Sequence, residues 1–327
     1  MLSLIRSSRL VSLTKVLQLR CYAQASPLGI DQSVENNLQT ETNRLSKTLT
    51  KFWEQVSLEE TDDKITVQLD SKPLRTPLGY PLSLPHSRKL LSVMLLNEWS
   101  NIPSLSIKPH ALPLTSLVSR CIDLEMANAP GVDPELIAKI GGNRDGMTDD
   151  LLRYLDTDTL LVFSPVKEYE GALRKGQDEM YLPLISGVEK FLTQLRGDKT
   201  PVKLLTLDGD LHGLRGNAQS KETRQIARQY LDSLSLWDLA VFEKTVLTTK
   251  SFICGLLLLL NKSANVANIP ELKVSMEDIA RAATLETIYQ VERWGEVEDT
   301  HDVDKRDVRR NVNAAAIVAF NSPASSK

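Results

Sequence analysis

The chain is poor in the residues that most often advertise chemistry. Only three cysteines occur in 327 residues, Cys21, Cys121 and Cys254, and no two are close enough for a CxxC pair. That spacing excludes a disulfide framework and a cysteine zinc site, and it fits a reducing compartment. The four histidines (His86, His110, His212 and His301) are scattered, and none belongs to an HExxH pair. There is no GxSxG elbow for a serine nucleophile. Aromatics are sparse at 5%, which argues against a base-stacking surface, and a net charge of −3 leaves no basic excess to attract nucleic acid. Long apolar runs are missing too. The longest lies between Lys250 and Lys262, well short of the roughly 20 helical residues that cross a bilayer, so it reads as a buried helix rather than a membrane insertion.

Acid is absent from the first thirty residues. Arg6, Arg9, Lys15 and Arg20 all precede the first carboxylate, Asp31, among Ser3, Ser7, Ser8 and Ser12. Arg-rich, Ser-rich and acid-free is the composition of a mitochondrial transit peptide. Arg20-Cys21-Tyr22 followed by Ala23 resembles a matrix-processing site cut after Tyr22. A leader over 1–22 therefore implies the mitochondrial matrix, and removing its four cations takes the formal charge from −3 to −7.

What remains has the balance of an ordinary globular protein, 42% hydrophobic and 25% charged, and is long enough for two domains. Residues 23–46 are polar and read as a flexible lead-in. Period-two alternation over Ile65–Leu69, turn chemistry at Asp70 to Pro73, and short apolar pieces at Val56–Leu58, Leu74–Thr76 and Leu82–Leu84 predict a small antiparallel sheet. Apolar stripes predict helices after Pro85 (Leu91, Met94, Leu95) and after Pro113 (Leu114, Leu117, Val118, Cys121). Asp133-Pro134 is a capped start, Asp149–Leu155 is helical, and Thr159–Phe163 is strand-like. From Glu168 onward the pattern is helical near 168–180, 182–196, 219–233, 235–247, 250–261, 276–294 and 304–320, with Val202–Leu207 extended. The expected fold class is α+β: a sheet with helices over 47–167, then an α-helical domain over 168–327.

Two glycine pairs need weighing. Gly171 and Gly176 sit at phosphate-loop spacing, but Gln177 stands where the loop's lysine belongs, so nucleotide binding is not expected. Gly141 to Gly146 lacks the strand-to-helix setting of a dinucleotide site and reads as a mobile loop.

The segment Ala283 to Glu296 differs from the rest. Ala282, Leu285, Ile288, Tyr289 and Glu292 share one helical face, with Glu286 four residues before Gln290 and seven before Arg293. A helix end with a solvated acidic face, stopped by Gly295, accounts for the pattern. So does a recognition surface in which Tyr289 and Trp294 are framed by Glu286, Glu292, Glu296, Glu298, Asp299 and Asp302. Acid–base or metal chemistry by these carboxylates is a third reading, with a matrix enzyme as its consequence. It has no EF-hand spacing behind it. His301 reads as part of a surface helix cap.

Four ordered blocks carry a resemblance. They are Leu69 to Gly79 with Pro81 to Pro85; Glu98-Trp99 with Ile107 to Thr115 and Ile122-Asp123; Tyr154 to Thr159; and Leu285-Glu286 to Gln290 with Glu292 to Glu296. In these the chain resembles the mitochondrial F1-ATPase assembly factor 2 family over residues 50–320. It departs at Tyr181, where the family favours tryptophan, and at Leu112, where methionine is usual. The resemblance implies a two-domain matrix chaperone with no catalytic activity and no cofactor. Its partner would be unassembled F1 alpha subunit, whose beta-facing surface it would shield. The client-binding candidates it implies are Glu286, Tyr289, Gln290, Glu292, Trp294 and Glu296, with either Glu286 or Glu292 as the acidic residue that matters.

Overall fold

A strand whose alternate residues are apolar has to lay one face on a core. Lys64–Leu69 (β2) does so with Ile65, Val67 and Leu69. Val56–Glu60 (β1) pairs antiparallel along one side, Val56 opposite Leu69. Lys72–Pro73 (β3) and Ser83–Pro85 (β4) pair antiparallel with β2 along the other. The β2–β3 turn needs two left-handed residues, Asp70 (φ 48°) and Ser71 (φ 66°). The Asp70 carboxylate fastens it by accepting the N–H groups of Glu54 and Gln55 at 3.0 and 2.9 Å. The computed structural model describes residues 51, 53–102, 111–198, 200–213, 216–262, 268–296 and 301–320, with the backbone alone at 262 and 301–303. The leader at 1–22, the lead-in at 23–46, His110, Glu298 and Asp299 lie outside the described residues.

Lys89–Ser100 (α1) packs on β1 and β2. Pro113–Ala127 (α2) follows, then Pro134–Lys139 (α3, capped by Asp133) and Arg144–Asp156 (α4, capped by Asn143). Val162–Phe163 (β5) is a two-residue strand. The rest of the stretch expected as strand, Thr159–Leu161, is a 3-10 turn instead. Ala172–Arg196 (α5) is one 25-residue helix, where the sequence suggested two. Pro183 removes a donor within it, but Pro183 is exposed, and the carbonyl it deprives can be hydrated. Leu207–Asp208 (β6) pairs parallel with β5, and Gly209–His212 (α6) is a single turn.

Lys221–Ser233 (α7), Leu236–Thr249 (α8), Phe252–Lys262 (α9), Met276–Ala283 (α10), Leu285–Trp294 (α11) and His301–Ala319 (α12) complete the chain. The run from Phe252 to Leu260 is buried without a break, as an all-apolar helix must be in water. α8 lies at the centre, against α2, α9 and α12. One continuous core runs from Val67 to Ala319. A satellite cluster of Trp53, Leu69, Trp99, Ile102 and Leu112 closes the sheet end, its two tryptophans edge to face at 5.1 Å. Among the described residues no helix is long and apolar enough to cross a membrane.

Asp158 is the most deeply buried carboxylate of this framework. It accepts the N–H of Leu160 at 2.9 Å and that of Ile253 at 2.8 Å, closing the start of α9. Burial raises its pKa to about 6, against backbone hydrogen bonds that pull it down. A raised folded pKa gives stability that is complete below the unfolded value of 3.8 and lost as pH rises through about 6. The stability of the wild type relative to Asp158→Asn should therefore fall with rising pH across that window and level off above it. Paired urea titrations at several pH values measure this; a difference independent of pH would contradict it.

Candidate functional site

A capping box starts α10: the Ser275 hydroxyl accepts the Asp278 N–H, and the Asp278 carboxylate accepts the Ser275 N–H. The helix expected to run on through 294 breaks at Thr284. Its hydroxyl donates to the Ala280 carbonyl at 2.9 Å, its N–H is shared between Ala280 and Arg281, and its backbone leaves the helical region (φ −115°, ψ 15°). Threonine bonding back to its own helix bends it.

The break redistributes the expected face. Ala282 and Leu285 are buried, Ile288 and Tyr289 are half-buried, and Glu292 is exposed. Glu292 is thus not a carboxylate on a buried stripe.

α11 rests chiefly on α5. They approach closely at Gly176, where a Cβ would lie 2.6 Å from the Tyr289 hydroxyl and 3.1 Å from its ring. So Gly176 belongs to a helix–helix contact, which is the common reason for an isolated glycine in a helical pattern. Its neighbour Gln177 is buried, donates to the Val162 carbonyl of β5 and accepts the Ser164 N–H just past it. Tyr181, the departure from the resembled family, is buried and donates to the Ala282 carbonyl at 2.9 Å, steadying the end of α10.

At its far end α11 meets a strained turn. Tyr169 (φ 50°, ψ 31°), Glu170 (φ 57°, ψ 28°) and Gly171 (φ 82°, ψ −3°) are successive left-handed residues. The first two cost on the order of 1–3 kcal/mol each. The Tyr169 ring lies 5.4 Å from that of Trp294, and Glu170 is 3.5 Å from Arg293. Gly295 (φ 85°) ends the helix, as its sequence position suggests.

The expected site residues therefore divide. Glu286 accepts from Gln290 at 3.1 Å along the helix, as the spacing implies. Tyr289 is half-buried and docks α11 on α5. Glu292, Trp294 and Glu296 are exposed, Trp294 by 69%. Arg293 turns to Glu170 instead of Glu286. Tyr169 and Glu170 carried no signal in the sequence, because nothing in a Glu-Tyr-Glu-Gly run demands left-handed backbone. Gly176 did carry one.

Alanine at Gly176 should gain about 0.5–1 kcal/mol of helix propensity while pushing Tyr289 off its seat. Gly176→Ala is expected to melt close to the wild type but to exchange amide hydrogens faster across 285–294. Adding Tyr289→Ala, which removes the clash, should slow that exchange again.

In the other three blocks the described residues make fold contacts. In the first, Asp70 fastens the β2–β3 turn. In the second, the Glu98 carboxylate accepts the N–H groups of Leu114 and Thr115 at 2.9 and 2.8 Å, capping α2 from outside, while the Trp99 indole donates to the Thr115 hydroxyl at 2.8 Å. In the third, Asp158 closes α9, and Asp156 accepts the Gln219 N–H at 2.8 Å and pairs with Arg224. Among the described residues of the four blocks, only the fourth has an exposed tryptophan, with exposed carboxylates beside it that make no backbone cap. Among the described residues no group of three or more His, Cys, Asp or Glu is arranged to hold a metal ion. Cys121 and Cys254 are buried and their thiols are pushed up by desolvation, Cys254 to about 12.

A protein-family model described as ATP12 chaperone protein matches residues 50–189. Over 298 residues the chain is 59% identical to Protein ATP12, mitochondrial, of Saccharomyces cerevisiae, covering 90% of this chain and 91% of that one. Over 269 residues it is 33% identical to Protein atp12, mitochondrial, of Schizosaccharomyces pombe, covering 82% and 81%. Its fold is similar to the crystal structure of the Atu1473 protein from Agrobacterium tumefaciens. The TM-score is 0.61 at 22% identity, with 88% of this chain and 98% of that one covered, a likeness of fold alone.

Proposed function

This chain belongs to the ATP12 chaperone family, and from that membership we propose that it is an assembly chaperone of the mitochondrial ATP synthase F1 sector. It binds unassembled alpha subunit in the matrix and shields the surface that beta covers in the finished ring. The observation that carries the reading is the fourth block: its polar and aromatic residues are exposed at the end of α11, where among the described residues Glu292 and Glu296 are exposed and Trp294 is 69% exposed.

The physical need is plain. A subunit of an obligate ring exposes an interface on the order of 2,000 Å² or more that is richer in apolar area than ordinary surface, and such a patch aggregates while it waits. A holder has to cover that patch and still let go. Trp294, a large amphipathic side chain in a mostly acidic setting, suits an anchor that binds without permanent burial. Glu286, Glu292 and Glu296 supply a field that steers a basic region of the client onto it. Both named relatives are mitochondrial proteins, and the acid-free leader agrees with import into the matrix.

Mitochondria lacking the protein should accumulate alpha subunit in the insoluble fraction while alpha synthesis continues unchanged. Pulse-labelling followed by fractionation measures this. Soluble alpha entering the ring at the normal rate would sink the proposal.

A further inference from the structure

A second apolar surface lies beside α11 and is unused by the fold. β5 and β6 form a two-stranded parallel ribbon in which Val162 faces Leu207 and Phe163 faces Asp208. Paired residues share a face, so Phe163 and Asp208 point inward, where Arg174 lies over the Phe163 ring and binds Asp208 at 2.7 Å. Val162 and Leu207 then point outward, joined by Leu205 two residues earlier. Val162 is 39% and Leu205 49% exposed.

Beyond the strand ends, Val166 donates its N–H to Asp210 at 2.8 Å, which brings the two connections together. There Val166 is 55% and Leu211 79% exposed. The Val166 carbonyl lies 3.4 Å from where a Cβ on Gly171 would be, so Val166 borders the left-handed turn whose Tyr169 meets Trp294.

The ribbon does not invite another strand. Gln177 occupies the outer edge of β5, accepting from Ser164 at 2.8 Å and donating to Val162 at 3.4 Å. Gln219 does the same beyond β6, accepting from and donating to Leu205, both at 2.8 Å. What is left open is side chain, not backbone.

The rim is acidic. Glu168, Glu170 and Asp210 are exposed around the strand ends, as are Glu286 and Glu292 on α11 and Glu296 just past its end. Against them stand Lys167, Lys203 and Arg293, of which Lys203 already pairs with Glu189 and Arg293 faces Glu170. An anionic lipid surface would be repelled, whereas a basic neighbour would be drawn in.

Resting on the chaperone reading above, we propose that Val162, Leu205, Val166 and Leu211 form the apolar half of the client-holding surface, continuous with Trp294. Their occupant is an apolar segment of the client flanked by lysine or arginine. The ribbon takes the apolar segment and the carboxylates take its basic flanks.

The test uses the full mature chain and purified F1 alpha subunit diluted from denaturant, with aggregation followed by light scattering. Val166→Ser/Leu211→Ser should need about tenfold more protein than wild type to keep alpha in solution, a change of about 1.4 kcal/mol. Leu182→Ser, at an apolar site on α5 that is 49% exposed, should match wild type. Should the double variant fail a circular dichroism melt, Leu211→Ser alone replaces it. A photo-crosslinker at position 211 should capture apolar alpha segments with basic flanks, and one at 182 should not.

Wild-type protein that never protects alpha would overturn the chaperone reading itself. Full protection by both the wild type and the ribbon variant would overturn this inference alone. A dimer in sedimentation that Leu211→Ser abolishes, with crosslinks from 211 to a second copy, would assign the face to self-association and overturn it as well.

Discussion

Glu243→Ala should cost the protein about 3–5 kcal/mol, a large part of an ordinary stability of about 5–15 kcal/mol. Arg120 on α2 and Glu243 on α8 form a two-pronged pair, Nε to Oε2 at 3.0 Å and Nη2 to Oε1 at 3.1 Å, with side-chain exposures of only 7% and 11% respectively. Arg120 also donates to the carbonyls of Ile140 and Gly141, so one guanidinium ties α2, the turn after α3 and α8 together. Truncating Glu243 leaves that charge buried beside Met147, held by the two carbonyls and without its bidentate carboxylate. The loss would come from the stranded partner more than from the bond itself. Arg120→Met/Glu243→Leu, which removes both charges at similar volume, should recover most of it. Urea unfolding of the wild type, Arg120→Met, Glu243→Leu and the double variant gives the coupling energy directly. A single-mutant loss below about 1 kcal/mol would mean that water reaches the pair and screens it as at a surface.

That pair was not legible in the sequence, because its partners are 123 residues apart and nothing local marks either one. Local signals read well. The alternation at Ile65, Val67 and Leu69, the Asp133-Pro134 start and the buried run from Phe252 each follow from a short-range rule, and each matches the observed element. The misreadings arose where a tertiary contact overrode the local rule. Pro183 suggests a helix boundary, yet α5 continues because its flanks, Tyr181 and Leu184, are anchored in the core. Thr284 suggests nothing, yet its back-bonding and burial divide α10 from α11.

The candidate site was half legible. Periodicity put Glu286 beside Gln290 and marked Gly295 as the stop. It also placed Tyr289 and Trp294 on equal terms as anchors, which the structure separates: Gly176 gives Tyr289 a seat on α5, and Trp294 stays outside. The left-handed turn at Tyr169 and Glu170 and the exposed ribbon face depend on how distant segments meet. No pattern within either segment carries that information.

Of the two acidic candidates on α11, Glu292→Lys is expected to separate binding from folding more cleanly than Glu286→Lys. Glu286 lies in the first turn, where a negative charge favours the helix dipole, and it also accepts from Gln290. Reversing it removes both effects and costs about 0.3–1 kcal/mol in the helix. Glu292 lies in the last turn, where a carboxylate opposes the dipole and a lysine would favour it. A carboxylate kept against its local electrostatics suggests a use outside the helix. Glu292→Lys should therefore melt at or slightly above the wild-type temperature. Its association with alpha subunit should slow by on the order of a hundredfold at low salt, the range over which steering charges act. Raising the salt should narrow the gap, because the screening length falls to about 3 Å near 1 M. Stopped-flow association at several ionic strengths, paired with thermal melts, reads both quantities. If Glu292→Lys binds within twofold of wild type at every salt concentration while Glu286→Lys loses affinity, the client-facing charge sits at the start of α11. The basic flank of the client would then meet Glu286 and not the acidic end beside Trp294.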